Sequence, residues 1–397
     1  MPSSNDIWIT GLGAQSGAGA GITPLAAALE QRGTLAAPDG ALHHHWVARA
    51  PEPMIGRIAK RLDRSGQLFM AAAREAWTSA GLDGAQLDPD RVAVIEGSSL
   101  GPVSDLLATE RSRVAANFAN RLHPAEVIRM MFGAGSAAFA QEIGAHGPVF
   151  ALSAGSTSGV VAVIEAWAKL RAGFADIVVA GGAEAPIDPE VIAVFQAAGI
   201  LAPAGPELPC RPFDLARCGT MLGEGAGVVV LESAEHAMRR GAIPLAVILG
   251  AGVSGEEGSL TSPDPEGHGV TRAARMALVG VPSDTIGWIK AHGTATRLND
   301  AAEYRGLSGL ATRAPMTSLK PLLGHCLGAS GAIELAAAIL ALRAELIPPT
   351  LGTAHVDPAF HDRHIALECE RLRQPTALLL SQSLGGRCAA MTIRRAA

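Results

Sequence analysis

Aromatic side chains are scarce in this chain. They account for 4% of its 397 residues and include a single tyrosine, whereas 48% of the residues are apolar and 46 are glycine. An interior made from such material is packed with small side chains, and the composition excludes a disordered or fibrous polymer. A basic surplus is missing as well. The formal net charge is −5, which argues against nucleic acid as the main partner. The cysteines, Cys210, Cys218, Cys326, Cys369 and Cys388, are odd in number, unevenly spaced and form no Cys-x-x-Cys pair. Reduced thiols are expected, not a disulfide framework. No apolar run approaches the roughly 18 residues that a membrane span needs. The chain opens on a short polar tail, Met1-Pro-Ser-Ser-Asn5, without a secretory leader. A cytoplasmic protein, associated with neither membrane nor nucleic acid, is expected.

The length exceeds one ordinary core, so two domains or two fused halves are expected. Ile7–Gly11, Arg91–Gly97 and Asp176–Gly181 read as strands, the last apolar on both faces as in a covered parallel sheet. Gln67–Ala80 reads as a helix, and Leu152–Gly159 as a strand-to-helix junction whose helix runs to about Leu170. A second series echoes the first: strands at Pro244–Gly250, Ile286–His292 and Thr376–Leu380, with a small-residue helix over Gly328–Ala344. The spacing predicts a layered, duplicated α/β fold with halves at 1–240 and 241–397 and chemistry at their junction. Residues 36–54, with His43, His44 and His45, read as an irregular connection. Adjacent imidazoles cannot all face one ion from regular structure, so no metal site is expected there.

Several segments carry chemistry. Gly147-Pro-Val-Phe-Ala-Leu-Ser-Ala-Gly-Ser156-Thr-Ser-Gly159 leads into an apolar run and then Val-Val-Ala-Gly-Gly-Ala-Glu184. Pro209-Cys-Arg-Pro-Phe-Asp214 precedes Leu222-Gly-Glu-Gly-Ala-Gly227. Ala291-His-Gly-Thr-Ala-Thr296 follows a strand, and Thr317-Ser-Leu-Lys-Pro-Leu-Leu-Gly-His325-Cys-Leu-Gly-Ala-Ser-Gly-Ala-Ile-Glu334 precedes the last long helix. On residues alone, Ser156 could be a helix-capping hydroxyl, since Ser-Thr-Ser before an apolar run is a common cap. A lone histidine at a strand end is usually structural. Two of them, each inside a longer motif, point to a functional pair.

Together these segments resemble the β-ketoacyl-(acyl carrier protein) synthases of the thiolase superfamily. The resemblance spans nearly the whole chain and implies the five-layered αβαβα thiolase-like fold. It also implies a decarboxylative Claisen condensation of acyl- and malonyl-carrier protein in fatty acid or polyketide synthesis. In the family, the position of Ser156 holds the cysteine that carries the acyl chain. A serine hydroxyl loses its proton roughly five or more pKa units later than a thiol and is a much poorer nucleophile. The resemblance assigns the catalytic positions to Ser156, His292, Lys320 and His325, with Asp300, Glu303 and Glu334 as supporting acids. The family's C-terminal motif is altered here to Leu380-Ser-Gln-Ser-Leu-Gly-Gly-Arg-Cys388. Its gating Gly–Phe pair becomes Ser383–Leu384, a stiffer and smaller hinge. The backbone N–H groups of Ser156 and Leu384 are the implied oxyanion hole. Cys388 could be a relocated thiol, although a buried small residue is the plainer reading. Small residues between Phe132 and Ala140 are candidates for the pocket wall.

No resident cofactor or metal is implied, because phosphopantetheine arrives on the acyl carrier protein. Docking of that acidic protein is assigned by alignment to Arg57, Lys60 and Arg61, in a basic run that as bare charge would be a solvated helix face. Two roles remain open. The first is a condensing acyltransferase whose nucleophile is altered or silenced, working as a homodimer. The second is a non-elongating partner subunit of chain-length-factor type, paired with a cysteine-bearing synthase. The retained His292, Lys320 and His325 favour the first, and Ser156 with the altered 380–388 segment favours the second. A coenzyme A-dependent thiolase is weaker, since Cys388 does not sit in that family's second cysteine motif.

Overall fold

The computed structural model describes residues 6–56, 61–310 and 312–396. Its main sheet is read most simply through ten strands. The first five are β1 (Ile7–Ser16), β2 (Val92–Gly97), β3 (Val149–Leu152), β4 (Ile177–Glu184) and β5 (Gly225–Ser233). The second five are β6 (Ala246–Gly255), β7 (Ile286–Lys290), β8 (Met316–Thr317), β9 (Thr376–Ser383) and β10 (Arg387–Arg395). The spatial order is β3-β2-β4-β5-β1-β6-β10-β9-β7-β8, and a short strand, Gly19–Ala20, folds back on β1.

Each half has the same plan. In the first, β2 pairs parallel with β3 and β4, and β5 runs antiparallel to β4 and β1. In the second, β7 pairs parallel with β8 and β9, and β10 runs antiparallel to β9 and β6. The halves join through a short antiparallel pairing, Ile7–Ile9 against Ala246–Ile248.

Two helices form the middle layer: α3 (Ser158–Arg171) and α6 (Ser330–Arg343). Helix α6 is buried on nearly every face, and it packs on α3 and on strands of both halves. A helix that is apolar all round has to lie inside. Gly227 allows the contact: a Cβ there would fall 2.4 Å from the main-chain carbon of Ala332. Helices α1 (Arg64–Ser79) and α2 (Ala134–Ile143) cover the outer face of the first half, and α4 (His268–Ala277) with α5 (Arg297–Ser308) cover the second. Three apolar clusters separate the layers. Val228 and Val230 of β5 face the outer core with Phe69 and Phe139, while Val229 and Leu231 face the central core with Ile333 and Leu379. That alternation, apolar on both sides, is the covered-sheet pattern. The result is the expected thiolase-like αβαβα stack.

Some elements differ from the sequence expectation. Residues 36–54 are partly regular, with strands Ala37–Asp39 and His45–Ala48 forming a small sheet with Leu222–Gly223. His43 and His44 take left-handed backbone angles while His45 is buried in its strand, so the three do not converge. The glycine-rich 225–227 segment opens a buried strand. No described helix is long and apolar enough to cross a membrane.

Candidate active site

The chain leaves β3 and β8 through two topologically equivalent junctions, each leading into a central helix. Ser156 lies in the first and His325 in the second. Helix α3 begins at Ser158, within the expected junction, and its N-cap is Thr157, which makes no side-chain cap bond. The Ser156 hydroxyl therefore is not a cap. Its Oγ lies 3.2 Å from Nε2 of His325, whose Nδ1 is 2.9 Å from Ser330 Oγ in the first turn of α6. The rings of His292 and His325 meet edge to face, with centroids 5.4 Å apart and planes at 83°. All three residues line a cavity of about 610 Å³, together with Phe195, Ile200, Cys218 and Leu384. The 132–140 segment does not line it. Helix α2 instead packs against α1, with Phe139 in the outer core.

Burial holds both imidazoles well below their ordinary value of 6.5, and the Lys320 ammonium acts in the same direction. Both rings are neutral at physiological pH. Lys320 acts on His325 through its charge, because its Nζ donates to Glu334 Oε1 at 2.7 Å. A second ammonium, Lys290, went unrecognised in the sequence. It donates to the other oxygen of Glu334 and, at 2.7 Å, to the Leu380 carbonyl. A lysine closing the wholly buried strand Ile286–Lys290 was the available signal. Burial alone would raise the Glu334 carboxyl, yet the two ammoniums outweigh it and pull it below its usual value. Burial lowers Lys290, with Glu334 opposing.

Two further carboxylates shape the loop after β7. Glu303 accepts from the His292 N–H at 2.6 Å and the Gly293 N–H at 2.8 Å, fixing where His292 leaves the strand. Asp300 accepts from the N–H groups of Phe213 at 2.9 Å and Ala295 at 3.1 Å. Both residues have φ of 64°, a left-handed conformation costing about 1–3 kcal/mol each without glycine. Burial pushes Glu303 upward and Asp300 up to about 7, against these N–H donors. The Pro209–Asp214 block is thereby tied to the first histidine motif.

The altered C-terminal segment meets Ser156 directly. The Ser156 N–H donates to Ser383 Oγ at 2.9 Å, and Ser381 Oγ donates to the Ser156 carbonyl at 3.4 Å. Leu384, 45% exposed, stands at the cavity mouth. Cys388 is buried with its Sγ 3.3 Å from Glu256 Oε1. Burial and that carboxylate push its thiol well up, so it is held protonated and is no nucleophile. In the basic run, Arg61 is exposed, whereas Arg57 and Lys60 lie outside the described residues. Arg64 of the same run is turned away, bridging Glu224 at 2.8 Å and Glu52 at 2.7 Å.

This arrangement can polarise a carbonyl oxygen and steady an enolate with two neutral imidazoles. It lacks a sulfur nucleophile at the helix mouth. Two family models match the chain, "Beta-ketoacyl synthase, N-terminal domain" over residues 48–237 and "Beta-ketoacyl synthase, C-terminal domain" over 245–354. The tetracenomycin polyketide synthase ketoacyl synthase alpha subunit of Streptomyces glaucescens is 33% identical over a 411-residue alignment covering 98% of this chain and 96% of that protein. Among solved structures, the ishigamide ketosynthase/chain length factor superposes with a TM-score of 0.91 at 28% identity, covering 99% of each chain. A structure of a type II PKS acyl-carrier protein in complex with its ketosynthase matches with a TM-score of 0.88 at 26% identity, again over 99% of each chain. With a relative aligned almost from end to end and both domain models matched, the chain belongs to the beta-ketoacyl synthase family.

Proposed function

We propose that this chain is a decarboxylating, non-condensing subunit of a polyketide-type β-ketoacyl synthase, working beside a related subunit that carries the cysteine. The observation that carries the reading is the pairing of an intact His292–His325 site with a hydroxyl, Ser156, at the nucleophile position. Loss of carbon dioxide from a malonyl thioester breaks the bond between the α-carbon and the carboxylate. The electron pair moves onto the thioester oxygen as an enolate, and protonation at carbon then gives an acetyl thioester. Two imidazole N–H donors at the thioester oxygen stabilise that enolate without any covalent step. The buried Nδ1 of His292 has no hydrogen-bond partner among the described residues, and an unpaired acceptor is tolerated better than an unpaired N–H. That favours the tautomer with its proton on Nε2. Condensation needs more, since an acyl group must first be captured as a thioester, and a serine hydroxyl beside a single neutral imidazole is a weak substitute for a thiolate.

A partner subunit has an open edge to use. Strand β3 ends the sheet, and its Val149 and Phe150 are 38% and 36% exposed. Phe118, Val127, Met130 and Met131, in the segment between β2 and α2, are also exposed, and exposed apolar side chains in such number fit a surface that a partner covers. A sister subunit that presents its own β3 edge would cover this face. The similar ishigamide structure is a ketosynthase/chain length factor, and we read this chain as one half of such a pair. The carrier protein would dock at Arg57, Lys60 and Arg61.

The test is carbon dioxide release from labelled malonyl-carrier protein by the chain paired with a sister subunit whose own histidine pair has been replaced by alanine. Release that disappears in His292→Ala and His325→Ala supports the reading. No release from the unmodified chain contradicts it.

A further inference from the structure

One strand grips the main chain of Ser156 from both sides. Alternation along β9 turns Ser381 and Ser383 to the same face, and both reach Ser156. Ser381 Oγ donates to its carbonyl, and its N–H donates to Ser383 Oγ at 2.9 Å. Gly155, at φ 61°, leaves room for this contact, because a Cβ there would fall 2.0 Å from Ser383 Oγ. A backbone amide has one hydrogen to give. The oxyanion of an acyl transfer sits about 2.7–3.1 Å from its donors, and the Ser383 oxygen already holds such a position on this amide.

We infer that Ser383 is a specificity-determining residue that closes the acyl-carbonyl subsite, its hydroxyl oxygen standing where the carbonyl oxygen of an acyl thioester would accept from the Ser156 N–H. The inference rests on reading the pocket as a β-ketoacyl synthase-type site, in which that N–H faces the acyl carbonyl. Acyl capture is then blocked twice, once by the missing sulfur and once by a filled donor. The histidine pair is not engaged by Ser383, so the malonyl side of the pocket stays open. Restoring sulfur alone does not restore capture.

The experiment compares Ser156→Cys alone with Ser156→Cys combined with Ser383→Gly or with Ser383→Ala. The alanine variant removes the hydroxyl without adding glycine's backbone freedom. Each is exposed to hexanoyl-pantetheine and, separately, to iodoacetamide. In the first reaction the introduced thiolate bonds to the carbonyl carbon, the pantetheine C–S bond breaks, and the released thiolate takes up a proton. In the second, iodide is displaced from a saturated carbon and no oxyanion donor is needed, so the rate reports only thiol access. Both are read by mass spectrometry on the peptide containing position 156, which excludes the exposed Cys218 and Cys369. Alkylation is expected to agree among the variants within about twofold, while acylation is at least about tenfold faster once the hydroxyl is removed. Equal acylation of all variants would overturn the inference. So would slower acylation after removal, which would make the hydroxyl a donor to the oxyanion, or alkylation of all with acylation of none. Carbon dioxide release by the unmodified chain tests the underlying reading separately.

Discussion

The two halves of the molecule share one topology and differ in what they bury. The C-terminal half seals Lys290, Lys320 and Glu334 behind its histidine junction and ties Glu303 and Asp300 to the loop that carries His292. The equivalent junction of the N-terminal half carries hydroxyls, among them Ser156, Thr157 and Ser158, with Ser383 reaching across from β9; its nearby buried carboxylate, Glu184, accepts from Ser98 and Ser99 and has no ammonium partner among the described residues. The histidine pair with its ion cluster therefore belongs to one half and the hydroxyl of Ser156 to the other. Among the described residues no hydrogen bond of the buried ion cluster involves Ser156, so a change at position 156 leaves that cluster intact.

The sharpest way to break this contrast is at the central helices. Glu334→Ala leaves two buried ammoniums without their shared carboxylate and should cost about 3–5 kcal/mol of unfolding free energy in a denaturant titration. Glu165→Gln in α3, at a half-buried position with no such partners, should stay within about 0.5 kcal/mol. Equal losses would mean the halves are not electrostatically distinct. Next in size, His325→Ala should lower carbon dioxide release by about 10²-fold, the usual scale for one oxyanion donor. Ser330→Ala loosens the hold on His325 Nδ1, and steady-state kinetics should show a drop in kcat of roughly three- to tenfold with KM unchanged.

The pH profile gives a smaller but diagnostic effect. Burial and the Lys320 charge depress both imidazoles below 6.5, so the neutral form survives to lower pH than in a free histidine. The decarboxylation rate should stay level as pH falls through 6.5 and decline only below it. A half-maximal rate at or above 6.5 would mean that the rings are not desolvated as described.

The strand–helix units were legible because their patterns were strong. Gln67–Ala80, Asp176–Gly181 and Gly328–Ala344 each fall within about three residues of α1, β4 and α6. Strand β5 was hidden by Gly225, where a Cβ would strike the Gln15 carbonyl of β1, and by Gly227, where it would strike the α6 backbone at Ala332; β10 opens Arg387-Cys-Ala-Ala with few β-branched residues. Within the site, His292, His325, Lys320 and Glu334 stood in motifs long enough to name. Lys290 stood alone in an apolar strand, and its partner is 44 residues away. The grip of Ser383 on Ser156 spans 227 residues and depends on one rotamer, a juxtaposition that no local pattern encodes.

In the proposed function this pocket stabilises an enolate without binding an acyl chain covalently. Intact-protein mass spectrometry tests it most directly, after the chain is incubated with acyl- and malonyl-carrier protein while released carbon dioxide is counted. Acetyl-carrier protein and carbon dioxide are expected, with the mass of the chain unchanged. An acyl ester on Ser156, or a β-ketoacyl product formed without a cysteine-bearing subunit, would contradict it.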